Sequence, residues 1–224
     1  MKIDILTLFP KILEGFVSET MVGRAVRSGC VDLRIHNLRD WSKDPHKAVD
    51  DRPFGGGAGM ILKPEPLCDA IDALQTQESK VIYLCPDGQR LTTSVVKRLA
   101  LESHLILVSG HYEGVDERFR EHCVHEEISI GDYVLTNGTL PAAVLMDTII
   151  RYIPGVLGDK QSLEQDSFSH TLLAFPQYTR PCNFQDWPVP EVLFSGNHEE
   201  IAFWRLKQQL IRTLRRRSDL IFNR

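Results

Sequence analysis

The sequence contains no uninterrupted apolar run near the roughly 18 residues that a membrane-crossing helix needs. Its start, Met1 to Thr7, carries Lys2 and Asp4 where a secretory signal would have a basic start and a long apolar stretch, so a cytoplasmic protein is expected. Five cysteines (Cys30, Cys68, Cys85, Cys123 and Cys182) are an odd number and none pairs as CxxC, which argues against a disulfide ladder and a two-cysteine zinc motif and leaves buried thiols. Neither GxGxxG nor GxxxxGK[ST] occurs, so the common dinucleotide and P-loop fingerprints are absent. Internal repeats and low-complexity tracts are also missing. Hydrophobic residues make up 42% and charged residues 25%, an ordinary globular balance that excludes disorder and a collagen-like fibre.

What is present is 224 residues with an uneven charge. Residues 201–224 hold seven basic side chains against Asp219 alone, a net of +6, whereas the first 200 carry 19 basic and 29 acidic residues, a net of −10. A basic terminus on an acidic body is the pattern of either a phosphate-backbone footprint or a solvated helix face.

Short apolar runs alternate with helix-like segments through the first 150 residues, which predicts an α/β fold with a mostly parallel sheet and helices on both faces. Strands are expected near Lys2–Leu8, Val31–Asn37, Val81–Cys85, Leu105–Ser109 and Cys123–Ile130. Helices are expected over Ile12–Arg27, Glu65–Leu74 and Ser94–Leu101, with a short turn at Asp116–Arg120. A further helix should begin at Thr139, whose hydroxyl suits a cap, with Pro141 in its first turn, and run to Arg151. Five of the twelve prolines then fall between Pro154 and Pro190, the mark of a linker or irregular cap. Phe203, Leu206, Leu210 and Leu214 recur at helical spacing, predicting a small helical second domain.

Glycine marks the candidate chemistry. The run Asp50-Asp51-Arg52-Pro53-Phe54-Gly55-Gly56-Gly57-Ala58-Gly59-Met60 lets main chain approach a ligand or turn with positive φ. Three more segments sit at predicted strand ends, where open α/β sheets bind ligands: Leu84 to Gly88, Gly110 to Gly114 and Ser129 to Gly138. Their succession points to one shared pocket held largely by main-chain groups. His122 and His125 stand beside Glu126 without a third ligand at metal spacing, so no metal site is assigned.

These segments resemble the bacterial tRNA (guanine-N1)-methyltransferases, which modify guanine 37 beside the anticodon. The resemblance covers nearly the whole chain: Leu8-Phe9-Pro10, Gly23-Arg24-Ala25, the Asp50–Met60 run, Tyr112-Glu113-Gly114 with Asp116-Glu117-Arg118, Ser129 to Leu135, Arg151 to Gly158, Asp166-Ser167-Phe168, Tyr178 to Pro181 and Ser195 to His198. It implies a SPOUT-class methyltransferase with a deep trefoil knot, whereas periodicity alone predicts an unknotted doubly wound sheet. It also implies a homodimer with sites at the subunit interface. The implied domains are a knotted methyltransferase domain over 1–158, a flexible linker over 159–176 and a small all-helical tRNA-binding domain over 177–224. S-adenosylmethionine is the implied cofactor.

Carried over by position, the cofactor meets Tyr83, Leu84 and Asp87 in the first loop, and Gly110, Tyr112 and Glu113 in the second. Ile130, Gly131, Tyr133, Leu135, Gly138 and Pro141 follow in the third. Asp87, Asn137 and Thr139 depart from the glutamine, glycine and glutamate common in the family.

Guanine N1 is a poor nucleophile until its proton leaves, so a general base is needed, and Asp166 matches the family's proposed one. Arg151 matches the residue that would stabilise charge on guanine O6. Asp50, Arg52, Pro53 and Gly59 are implied in the guanine pocket, and Glu113 is the alternative base or a ligand for Mg²⁺. Arg24, Lys160, Arg180, Arg205 and Arg212 to Arg217 are candidates for tRNA phosphate contacts that offset the cost of extruding a base. Two alternatives stay open on the sequence: a non-catalytic RNA-binding protein that kept the fold, and a knotted methyltransferase acting on ribosomal RNA.

Overall fold

The structure, a computed structural model, describes residues 1–158 and 161–222. Lys160 and Arg224, two of the basic residues considered above, lie outside the described residues. The chain forms two compact units, Met1–Gly158 and Asp159–Arg224.

In the first unit, β1 (Lys2–Thr7) leads through α1 (Lys11–Ser18) and α2 (Thr20–Arg27) to β2 (Asp32–Asn37). After a 3₁₀ turn at Leu38–Trp41 comes a short antiparallel ladder of β3 (Asp50–Asp51) with β4 (Ile61–Leu62). Then follow α3 (Pro64–Leu74), β5 (Ser79–Arg90), α4 (Thr93–Leu99), β6 (His104–Ser109), α5 (Glu117–Cys123), β7 (Glu126–Ser129) and α6 (Thr139–Ile150). The main sheet has the order β2-β1-β6-β5-β7 with every pair parallel. The expected α/β class with a mostly parallel sheet is therefore observed.

Strand alternation sorts the side chains into two cores. Ile3, Ile5, Ile82, Leu105 and Leu107 pack with residues of α1, α2, α4 and α6. Leu6, Val81, Tyr83, Ile106 and Val108 pack with Leu67 of α3 and Phe119 of α5. Each fully buried aliphatic chain contributes about 1.5–3 kcal/mol. Within the sheet, the buried Asp4 carboxylate of β1 lies 2.6 Å from Nε2 of His36, 2.7 Å from Nε2 of His104 and 2.9 Å from Nζ of Lys2. Ser79 Oγ lies 2.6 Å from Nδ1 of His104.

Several expectations need correction. The single helix over Ile12–Arg27 is two, because Glu19 is extended and Thr20 takes φ +54°. Gly23 permits this break, since a β-carbon there would overlap the Ser18 carbonyl. The last strand starts at Glu126 rather than Cys123, because the expected turn at Asp116–Arg120 is the helix α5. Of the cysteines only Cys85 is fully buried; Cys182 is exposed, and Cys68 and Cys123 touch with their sulfurs 3.3 Å apart.

The second unit holds α7 (Gln161–Gln165), a hairpin of β8 (Asn183–Phe184) and β9 (Trp187–Pro188), a 3₁₀ turn at Glu191–Phe194, α8 (His198–Arg216) and α9 (Asp219–Phe222). It is not all-helical. Gln185 and Asp186 both take positive φ, the tight-turn geometry that pairs the two short strands. The stretch expected as a linker over 159–176 contains α7 and belongs to this unit, where the buried Thr213 hydroxyl accepts the Leu173 N–H at 3.0 Å. Asn197 caps α8 by accepting from the N–H groups of Glu199 and Glu200.

Candidate active site

A cavity of about 250 Å³ opens where β5, β6 and β7 end. All twelve residues named for the cofactor line it: Tyr83, Leu84 and Asp87; Gly110, Tyr112 and Glu113; Ile130, Gly131, Tyr133, Leu135, Gly138 and Pro141. Parallel pairing explains the convergence, because β6 and β7 deliver their following loops to the same edge, where both meet the Tyr83–Asp87 part of β5. The β5–β7 register shifts between Leu84 and Gln89, which bulges the Cys85–Gly88 segment out of the ladder and into the wall.

Main-chain contacts join the loops. The Gly138 N–H donates to the Gly110 carbonyl at 2.8 Å, and a β-carbon at Gly138 would press on the main chain of Gly110 and Ser109. The Glu113 N–H donates to Met60, and the Leu62 N–H to Gly114, both at 3.0 Å, so the second loop is tied to the glycine run. Gly59 has φ +81° and the Glu113 side chain lies where its β-carbon would be.

The departures from the family's common residues have local partners. The N-cap of α6 is Gly138, which has no side chain to cap with; Asn137, one residue earlier, accepts the Thr139 N–H at 2.9 Å. The Thr139 hydroxyl, expected as a cap, instead lies buried, 2.9 Å from Thr7 Oγ1 and 3.0 Å from Ser109 Oγ. Asp87 accepts from Arg120 Nη2 at 2.7 Å, while Glu127 takes a bidentate pair from Arg120 Nε and Nη2 at 2.7 and 2.6 Å. The Arg120 guanidinium also lies 5.7 Å from the centre of the Tyr83 ring. It holds the Asp87 carboxyl below the usual carboxylate range. Burial and the nearby Asp87 push the Cys85 thiol up to about 12, and burial raises the Tyr83 phenol as well.

The other predicted residues are distributed as follows. Asp50 lies half-buried in β3, while Arg52, Pro53 and Gly59 belong to the glycine run. Arg24 is exposed on α2, and Arg151 sits half-buried just past the end of α6. Asp166 belongs to the second unit, half-buried directly after α7, and its carbonyl accepts the Ser169 hydroxyl at 2.7 Å. Glu113 is in no cluster of three metal-ligating side chains among the described residues. Cys85, Asp87 and Glu127 do converge, but Arg120 holds both carboxylates.

S-adenosylmethionine matches this lining in both shape and charge. Glycine-cleared main chain suits hydrogen bonding to an adenosine, and the Glu113 carboxylate on the wall suits a cationic sulfonium or ammonium. The residues fit the group. Sequence reasoning missed Arg120 and Glu127, which fell in a segment read as a turn running into a strand; their only signal was a basic residue near two acids.

A family model described as tRNA (Guanine-1)-methyltransferase TrmD matches residues 1–223. The chain belongs to this family. The tRNA (guanine-N(1)-)-methyltransferase of Geobacillus kaustophilus is 50% identical over 223 residues, covering 99% of this chain and 91% of that protein. The protein of the same name from Dehalococcoides mccartyi is 52% identical over 224 residues, 99% of this chain and 90% of the relative. That of Halalkalibacterium halodurans is 50% identical over 227 residues, with 100% and 92% covered. Membership of the tRNA (guanine-1)-methyltransferase family extends over both compact units, so the cavity and the basic helix α8 belong to one family chain.

Proposed function

We propose that the chain transfers a methyl group from S-adenosylmethionine to N1 of guanine 37 in tRNA, as a cytoplasmic homodimer with sites at the subunit interface. The observation that carries this reading is the convergence of all twelve expected cofactor residues on one cavity in a chain of this family. We read the three cavity loops as the loops of a trefoil knot. When bound, S-adenosylmethionine supplies an activated methyl on a sulfonium. The residues Tyr83 to Asp87 and Ile130 to Gly138 would hold it through main chain and so orient its methyl for transfer.

In this reading Asp166 takes the proton from guanine N1. Arg151 stabilises the charge that spreads to O6, an interaction stronger in the transition state than in the ground state. Asp50, Arg52, Pro53 and Gly59 shape the guanine pocket. Arg24, Arg180 and the basic face of α8 contact tRNA phosphates.

Incubation of the purified protein with labelled cofactor and tRNA transcripts, with and without guanine at position 37, tests reaction and site together. Label is expected only in the guanine-containing transcript. Asp166→Ala should keep cofactor binding while single-turnover methyl transfer falls about 10²-fold or more. An unchanged rate would reject Asp166 as the base.

A further inference from the structure

His111 directly follows the residue after β6, lines the cavity and is 6% exposed. Among the described residues neither of its ring nitrogens has a hydrogen-bond partner, though both atoms are buried. Such orphaned groups are uncommon, because each has given up water without replacement. The ring lies beside two half-exposed aromatic rings, with centroids 5.0 Å from Phe9 and 6.4 Å from Tyr112. Tyr112 holds φ +58°, a left-handed conformation that a bulky side chain rarely adopts and that recurs where a ligand rewards it.

Burial favours the neutral imidazole and the Arg39 charge adds to it, while the Ser109 carbonyl opposes both without forming a well-aligned hydrogen bond; the net shift is downward. A neutral ring offers one donor and one acceptor. That pair suits a ribose hydroxyl or a base edge, where donors and acceptors adjoin, better than a phosphate or carboxylate, which offers acceptors alone. Flanking aromatic rings suit a base by stacking.

We infer that His111 makes a side-chain hydrogen bond to a purine nucleoside held in the cavity. The inference rests on the methyl-transfer reading, in which both reactants carry such a nucleoside: the adenosine of the cofactor and the guanosine of the tRNA.

The test uses the full chain with His111→Leu and His111→Asn. Three quantities are measured: calorimetric affinity for S-adenosylhomocysteine, KM for a tRNA transcript at saturating cofactor, and the thermal midpoint. His111→Leu should melt at or above the wild-type temperature, because an apolar side chain removes two orphaned groups, while binding weakens about tenfold. His111→Asn, which keeps a donor and an acceptor, should recover part of that loss. A lower affinity for S-adenosylhomocysteine assigns the bond to the adenosine; a higher KM for tRNA alone assigns it to the guanosine. Both constants staying within about twofold of wild type, or a midpoint several degrees lower in His111→Leu, would overturn the inference. Wild-type protein that bound neither ligand would overturn the methyl-transfer reading itself, and this inference with it.

Discussion

Asp4 is an ionised side chain with no surface open to water, held by two imidazoles and an ammonium. Burial alone would raise its pKa, but hydrogen bonds from His36, Lys2 and His104 outweigh that and hold it well below the ordinary 3.8. A carboxylate depressed in this way adds stability that is fully present above the ordinary value and is lost as pH falls through the folded one. Asp4→Asn should therefore cost about 3–5 kcal/mol near neutrality, because it leaves partners buried without their counter-charge. The gap from wild type should narrow below pH 3, a window set by the ordinary carboxyl value. Chemical denaturation at pH 7 and pH 2.5 reads both numbers, and equal gaps would mean the charge contributes nothing. Arg120 is the matching case at the cavity. Arg120→Met removes three charge-assisted bonds and should cost about 2 kcal/mol or more, with a weaker affinity for S-adenosylhomocysteine as the Cys85–Gly88 wall loses its anchor. Calorimetry against a melting curve separates the two effects.

At the scale of elements, α6 fixes the third loop to the sheet. Its entry is tight: a β-carbon at Gly138 would lie 2.9–3.3 Å from main-chain atoms of Gly110, Ser109 and Leu84, and main chain cannot swing aside as a side chain does. Gly138→Ala should therefore destabilise by about 1–3 kcal/mol and reduce cofactor affinity, as followed by denaturant midpoint and calorimetry. The sequence showed this helix well, since Pro141 marks a first turn and Leu145, Met146, Ile149 and Ile150 read as a buried stretch. It also showed all five strands of the main sheet in their chain order, although β7, which reads Glu-Glu-Ile-Ser, starts three residues later than expected and β5 runs on from Cys85 to Arg90. The two-residue strands at Asp50–Asp51 and Ile61–Leu62 carry no periodicity to detect. The break at Glu19 and Thr20 is set by the packing of α1 on α2, which no local signal announces. The cavity's wall was legible because glycines stand at strand ends, and its membership came through family resemblance. Arg120 was not, because an arginine near acids looks the same whether it faces water or a cavity.

For the whole molecule, charge is the quantity that matters, with a net −4 hiding a basic end. On α8 the basic residues differ in their freedom. The Arg205 guanidinium stacks 4.7 Å from the Phe175 ring centre while Arg215 and Arg216 are exposed, and just past the helix Arg217 pairs with Asp219 at 2.7 Å. Replacing Arg215 and Arg216 together by alanine should weaken tRNA binding uniformly across transcripts. It should also flatten the plot of log affinity against log salt by about 1–2 units, as filter binding at several salt concentrations would show. An unchanged slope would remove α8 from the phosphate-contacting surface.

The order β2-β1-β6-β5-β7 places residues 104–109 between two strands made earlier, so β1 and β5 never touch directly. During synthesis, the first ninety or so residues consequently emerge with β1 paired to β2 and with β5 a lone strand that has no neighbour yet. Only when the intervening ribbon leaves the ribosome can they be zipped into one sheet. The cavity closes later still, once the segment from Ile130 to Pro141 has followed β7, so ligand capture cannot precede the completed sheet.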